Sequence, residues 1–101
     1  MRLSRLQRYI LQKCWDDKSY SAHKKAFYGF YPEHEQKENI KTIQNTLHKS
    51  LEALVERDLI VAYGKKTAEK FFINKVRLTR EGIKAAREIL SSRQGRLPLG
   101  R

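Results

Sequence analysis

Residues 47–82, LHKSLEALVERDLIVAYGKKTAEKFFINKVRLTREG, contain the pattern that decides the fold. Leucines spaced three and four residues apart lead to Asp58, and a β-branched and aromatic run follows at 59–63. A lysine-rich turn at 64–70 separates this run from a second one at 71–78. Thr79 is a suitable N-cap for another helix. The predicted order is therefore the end of an amphipathic helix, a β-hairpin and the start of a closing helix.

The helix that precedes the hairpin has the strongest helical period in the chain. Apolar residues recur at three- and four-residue steps and predict a helix over 39–57 with one stripe in the core. This stripe consists of Ile40, Ile43, Leu47, Leu51 and Leu54.

A similar stripe predicts a first helix over about 4–17. Ser4 followed by Gln7 fits a capping box, in which each side chain satisfies the other residue's free backbone N–H. The apolar stripe consists of Leu3, Leu6, Ile10 and Cys14.

The segments around these two helices are less regular. A short second helix is expected at 22–28, capped by Ser21 and ended by Gly29. The acidic segment 32–38 is interpreted as a loop or the frayed front of helix 3. The closing helix has its apolar face at Ile83, Ala86 and Leu90, and 91–101 is expected to be a basic flexible tail. One domain is therefore predicted over 1–90.

Composition limits the class of protein. The 101 residues are 40% hydrophobic and 33% charged, which is an ordinary globular balance. A bilayer span needs about 20 consecutive apolar residues, and no run here approaches that length. The single cysteine, Cys14, excludes an internal disulfide. A cytoplasmic protein with no membrane segment is expected.

The net charge of +11 favours a phosphate polymer as the partner. The charge is unevenly placed, because residues 1–30 carry seven Lys/Arg against two acids and residues 59–101 carry eleven against three. Residues 31–58 carry four against six and are slightly acidic. The acids Glu33, Glu35 and Glu38 precede helix 3, where they could cap the helix or repel phosphate.

Two motifs resemble those of winged helix-turn-helix transcription regulators of bacteria and archaea. Leu51, Leu54, Leu59 and Ile60 match a leucine-spaced "L-x-x-L-x-x-x-G-L-I" at the end of the recognition helix, with Asp58 where Gly is usual. Residues 78–82, LTREG, look like the "L-T-x-x-G" that joins the wing to the closing helix. The resemblance covers about residues 4–90. It implies a mainly helical α+β fold with a three-helix core, a β-hairpin wing and a closing C-terminal helix.

The resemblance also implies double-stranded DNA as the partner, with helix 3 in the major groove and the wing on the backbone. If the apolar stripe of helix 3 faces the core, the opposite face can reach bases and phosphates. The candidate DNA-binding residues on this helix are Lys41, Thr42, Gln44, Asn45, His48 and Lys49. Those on the wing are Lys65, Lys66 and Lys70. The leading hypothesis is a small transcriptional regulator that could form a homodimer through helix 1 and the closing helix.

No catalytic or metal-binding pattern competes with this hypothesis. The segment His34–Glu38 begins like a zinc-protease helix, but Glu38 stands where a second histidine is required. The five glycines are isolated and form no phosphate-binding loop. We therefore expect no enzymatic activity, no metal and no cofactor.

Two alternative functions remain open at the sequence level. The acidic segment 31–58 could meet a basic protein partner, which would make the chain an interaction or assembly module. Exposed aromatic residues, notably Tyr28 and Tyr31, could instead stack on the bases of single-stranded DNA or RNA.

Overall fold

The computed structural model describes residues 3–69 and 71–96, with side chains described through residue 91. These residues form a mainly helical α+β fold with an antiparallel sheet. The elements in chain order are α1 (Arg5–Asp16), β1 (Ser21–His23), a 3-10 helix (Lys24–Phe30), α2 (Glu33–Glu38), α3 (Ile40–Glu56), β2 (Ile60–Lys66), β3 (Phe71–Leu78) and α4 (Arg80–Arg96).

Helix α1 begins at the predicted capping box. The Ser4 Oγ accepts from the Gln7 N–H at 3.1 Å, and the Gln7 Oε1 accepts from the Ser4 N–H at 2.9 Å. The predicted stripe is buried at Leu6, Ile10 and Cys14, so this helix prediction is confirmed within one residue at each end. Because α1 packs on α4, α3 and the sheet, it forms the centre of the core.

The predicted helix at 22–28 is wrong in type. Ser21–His23 is a strand that pairs antiparallel with β3, with Ser21 opposite Arg77 and His23 opposite Lys75. The following helix is 3-10, and its N-cap is His23, whose Nδ1 accepts from the Lys25 N–H at 3.3 Å. A run of three residues is too short for its hydrophobic pattern to predict a strand. The conformation of Ser21–His23 is therefore set by its pairing with β3.

Residues 33–38 form a separate helix, α2, in place of a loop or the front of α3. The N-cap of α3 is Asn39, which makes no side-chain cap bond, and no acid lies in the first turn of α3. The core stripe of α3 begins at Ile43, because Ile40 lies in the first turn and is 38% exposed. The prediction of a buried Ile40 is therefore wrong, while Leu47, Leu51 and Leu54 are buried as expected.

Helix α3 ends in a Schellman motif around Asp58. The Leu59 N–H donates to the Leu54 carbonyl at 3.0 Å, and the Asp58 N–H donates to the Val55 carbonyl at 2.9 Å. Asp58 has φ 62°, the left-handed conformation that glycine adopts most readily. The position where the motif usually carries Gly thus has a backbone conformation that suits Gly.

Among the described residues the sheet has three strands in the order β1-β3-β2. The β2–β3 hairpin is longer than predicted, because β2 continues through Lys66. Its register shifts between Tyr63 and Gly64, which leaves Asn74 as an extra residue on β3. Gly64 is required at this bulge, since a Cβ there would overlap the Phe72 carbonyl.

The closing helix is attached to the hairpin by Thr79. Its Oγ1 accepts from the Gly82 N–H at 3.0 Å and donates to the Asp58 carbonyl at 2.6 Å, which confirms the predicted cap. The face of α4 places Ala86 in the core, with Ile83, Ile89 and Leu90 half-buried. Residues 91–96 continue this helix, and 97–101 of the predicted tail lie outside the described residues.

Candidate nucleic-acid interface

An open cleft of about 260 Å³ lies between α3, the 3-10 helix and the hairpin. Helix α3 contributes Gln44, Asn45 and His48 to its wall, and the hairpin contributes Phe71 and Phe72. Its apolar floor is formed by the core residues Leu47, Leu51 and Ile73. The structure therefore brings part of the predicted helix-3 set next to the predicted wing.

The predicted face of α3 is directed away from the core. Five of the six candidates are exposed, and His48 is half-buried. Lys41, Thr42 and Lys49 lie on α3 outside the set that lines the cleft. The helix thus offers amide and imidazole groups toward the hairpin and carries two lysines on its remaining exposed surface.

His48 is engaged by an acid on the same helix. Its Nε2 lies 3.4 Å from the Glu52 Oε2, one helical turn further on. Both side chains are partly open to solvent, so the pair contributes little to stability. Its consequence is electrostatic, because it places a carboxylate beside the cleft wall.

The two wing lysines that the structure describes lie on opposite sides of the hairpin. Lys66 pairs with Phe71, in line with the inward residues Ile60 and Ala62, so strand alternation places it on the side of α3. Lys65 pairs with Phe72 on the other side. The third predicted wing residue, Lys70, lies outside the described residues.

Two residues of the cleft come from an element that sequence reasoning did not connect with the site. Lys24 and Tyr28, both half-buried, reach the cleft from the 3-10 helix. Tyr28 was a candidate for base stacking, but Lys24 carried no signal beyond its charge. The contact between this helix and β3, 40 and more residues later in the chain, places both side chains there.

The second stacking candidate, Tyr31, belongs to an aromatic cluster outside the cleft. Its ring contacts Phe30 edge-to-face at 5.2 Å, and Phe30 contacts Tyr9 in the same way at 5.3 Å. Burial raises the pKa of Tyr31, and the nearby Glu35 carboxylate adds to the effect. Tyr31 thus packs on Phe30, which itself packs against the core.

The acids that precede α3 remain close to its N-terminus. Glu33 and Glu38 of α2 are exposed, whereas Gln36 is tied down by two 2.9 Å bonds from its Nε2 to the Tyr28 and Tyr31 carbonyls. Helix α2 is thereby fixed to the 3-10 helix.

Within the described residues, no group of three or more His, Cys, Asp or Glu side chains is placed to hold a metal ion. In the same part of the chain, no helix combines the length and apolar character needed to cross a bilayer.

Comparison of the chain with family models, curated proteins and solved structures finds no match.

Proposed function

We propose that this chain is a winged-helix protein that binds double-stranded DNA, with α3 in the major groove and the β2–β3 hairpin as the wing. The order of helices and strands and the β1-β3-β2 sheet are compatible with a winged-helix-like topology. A small transcriptional regulator that acts by occupying its site is the role that suits a module of this size.

The observation that carries the proposal is the cleft shared by α3 and the hairpin. A duplex that inserts α3 into one groove must pass its sugar–phosphate backbone beside the wing. The cleft supplies a space at this point, with polar groups on the helix side at Gln44, Asn45 and His48. Lys24 and Lys66 lie on the same side of the sheet and would neutralise phosphates.

The side chains on α3 are of two kinds: some are suited to base recognition and others to backbone contact. Amide side chains such as Gln44 and Asn45 pair bidentately with adenine, and lysines contact phosphate or guanine. Lys41 and Lys49 are exposed on the same helix and would position it. The exposed acids Glu33 and Glu38 would repel phosphate, so the proposed duplex lies along the side of α3 that faces the hairpin.

The proposal is tested by fluorescence anisotropy of a labelled duplex at several salt concentrations. About 4–6 phosphate contacts give a log–log slope of about −4 to −5. Lys66→Ala should weaken binding and reduce the slope by about one. Lys84→Ala is the matched control, because Lys84 is exposed on α4 and pairs only weakly with Glu81 at 3.8 Å.

A flat salt response, or equal losses in Lys66→Ala and Lys84→Ala, would contradict the proposal. In the first case no phosphates are contacted, and in the second the net charge alone attracts DNA.

A further inference from the structure

The sheet has a second surface, which shares only Phe72 with the lining of the cleft. Three cross-strand pairs lie on the side of β2 and β3 that is turned away from the helices, and each joins an apolar or aromatic residue to a cation. We call this surface the outer sheet face; its pairs are Val61 with Arg77, Tyr63 with Lys75, and Phe72 with Lys65.

The two sides of the sheet are clearly distinguished by burial. Helices α1 and α3 pack on the inner side, where Ile60, Val76 and Leu78 are buried. On the outer side, Val61, Tyr63 and Phe72 are 43%, 46% and 45% exposed. Large apolar side chains with this exposure on a sheet are a departure from the usual alternation of buried apolar and exposed polar residues.

The β-bulge at Asn74 creates this surface. Strict alternation from Arg77 and Lys75 would place Ile73 on the outer side, but the extra residue returns Ile73 to the core. Phe72 consequently joins Tyr63 and the cations on the outer sheet face. An aromatic residue is thus directed outward by a backbone feature that also requires Gly64.

The charge of the outer sheet face is mainly positive. Lys65, Lys75 and Arg77 are all exposed. Asp17 is an acid close to this surface: hydrogen bonds from Ser19 lower its pKa most, and the positive charge of Lys75 contributes. It therefore offsets one cation at the edge and leaves a net positive surface for a polyanion.

We propose that the outer sheet face binds single-stranded nucleic acid, with bases stacked on Tyr63 and Phe72 and phosphates neutralised by Lys65, Lys75 and Arg77. Aromatic rings that alternate with cations on an open sheet are the arrangement that stacks successive unpaired bases and follows their backbone. A second copy of the chain is a poor occupant, because two positive surfaces would repel each other. This site is tested apart from the duplex-binding proposal through Tyr63, which does not line the cleft.

The proposal is tested with a fluorescein-labelled 15-mer of deoxythymidine and anisotropy at low salt. Three phosphate contacts give a slope of about −2 in log affinity against log salt. Tyr63→Ala should weaken binding about fivefold to 150-fold, as expected for the loss of one stacked base. Tyr63→Phe retains the ring and should bind like the parent protein.

Val55→Ala is the matched control, because Val55 is 39% exposed but lies on α3. It should leave affinity for the 15-mer unchanged. Circular dichroism of each variant verifies that the exposed substitutions leave the fold intact.

Competition separates this surface from the proposed duplex site. An excess of unlabelled duplex should leave the 15-mer bound, and Gln44→Ala should not change its affinity. The inference is overturned if the 15-mer does not bind at low salt, if Tyr63→Ala binds as tightly as Tyr63→Phe, or if duplex displaces the 15-mer. Failure of duplex binding alone, with the Tyr63 effect intact, would contradict only the proposed function.

Discussion

The Leu59 carbonyl occupies the position that the β-carbon of any residue other than glycine would take at position 82. A Cβ on Gly82 would overlap the Leu59 carbonyl oxygen and stand 3.0 Å from its carbon. The same carbonyl accepts a hydrogen bond from the Thr79 N–H at 3.0 Å. The end of α3, the end of the hairpin and the first turn of α4 therefore meet at one backbone group.

This close approach makes Gly82→Ala destabilising despite the higher helix propensity of alanine. The substitution should gain about 1 kcal/mol in propensity in an open helix. Here backbone atoms must move apart, which should lower the free energy of unfolding by about 1–3 kcal/mol net. Urea denaturation followed by circular dichroism measures the change.

Gly29→Ala is the control for this prediction, because its Cβ would meet only the Tyr9 hydroxyl at 2.8 Å. A side-chain tip can move aside, so the variant should be nearly as stable as the parent. Equal stability of Gly82→Ala and the parent would show that the junction is not tightly constrained.

The Schellman motif leads to a prediction of opposite sign at Asp58. A left-handed backbone conformation costs an L-residue about 1–2 kcal/mol, and glycine avoids this cost. Glycine also loses more backbone entropy on folding, which offsets about 0.5–1 kcal/mol of the gain. Asp58→Gly should therefore raise the free energy of unfolding by about 0.5–1 kcal/mol. The bond from Thr79 to the residue-58 carbonyl is retained, because it uses only the backbone.

Asp58→Val supplies the contrast, because a β-branched residue is strained at positive φ. Thermal unfolding should rank Gly above Asp and Asp above Val. If Val were tolerated as well as Asp, the left-handed conformation at this position would not be maintained in solution.

The parts of the fold that the sequence predicts are those with a local cause. The leucine period of α3, the capping box at Ser4 and the Thr79 cap depend on residues within a few positions of one another, and the structure confirms all three. Strand β1 and the bulge at Asn74 depend on distant partners. Ser21 is extended because it pairs with Arg77, more than 50 residues away.

The residues of the candidate site also differ in whether their placement has a local cause or depends on distant partners. Gln44, Asn45 and His48 could be placed on one helix face from the period alone, and they do line the cleft. Their facing residues Lys24 and Phe71 come from segments that meet only in the folded chain. Lys65 and Lys66 lie on opposite sides of the hairpin because β2 continues through both residues. The sequence predicts a strand that ends before them, so it could not give these orientations.

Burial of Cys14 predicts an unreactive thiol and a specific pH dependence. Burial, with a smaller effect from Asp17, raises the pKa of Cys14 from 9.0 to about 12. Below pH 9 the thiol is protonated in both the folded and unfolded states and adds no pH dependence. Between about pH 9 and pH 12 the unfolded chain loses a proton that the folded chain keeps, so stability falls as pH rises.

Cys14→Ala isolates this effect from other groups that titrate at high pH. The stability difference between parent and variant should be constant from pH 6 to pH 8 and should shrink above pH 9. A thiol reagent at pH 8 should react with the native parent far more slowly than with the protein in urea. Rapid labelling of the native protein would contradict burial of the thiol.

The sharpest prediction for the proposed function separates base reading from backbone contact. Gln44→Ala and Asn45→Ala remove amides that line the cleft wall, whereas Lys66→Ala removes a charge on the hairpin. Loss of one bidentate base contact costs about 1–3 kcal/mol of discrimination at a single position. Loss of a phosphate contact weakens binding to all sequences by a similar factor and leaves discrimination unchanged.

Selection of bound duplexes from a random library, followed by anisotropy on the enriched site and on single-base mismatches, measures both quantities. The Gln44→Ala and Asn45→Ala variants should tolerate a mismatch that the parent rejects. Lys66→Ala should keep the parent's ranking of mismatches at lower affinity throughout. If all three variants lost affinity without any change in ranking, α3 would contact only the backbone and the chain would bind duplex DNA without reading its sequence.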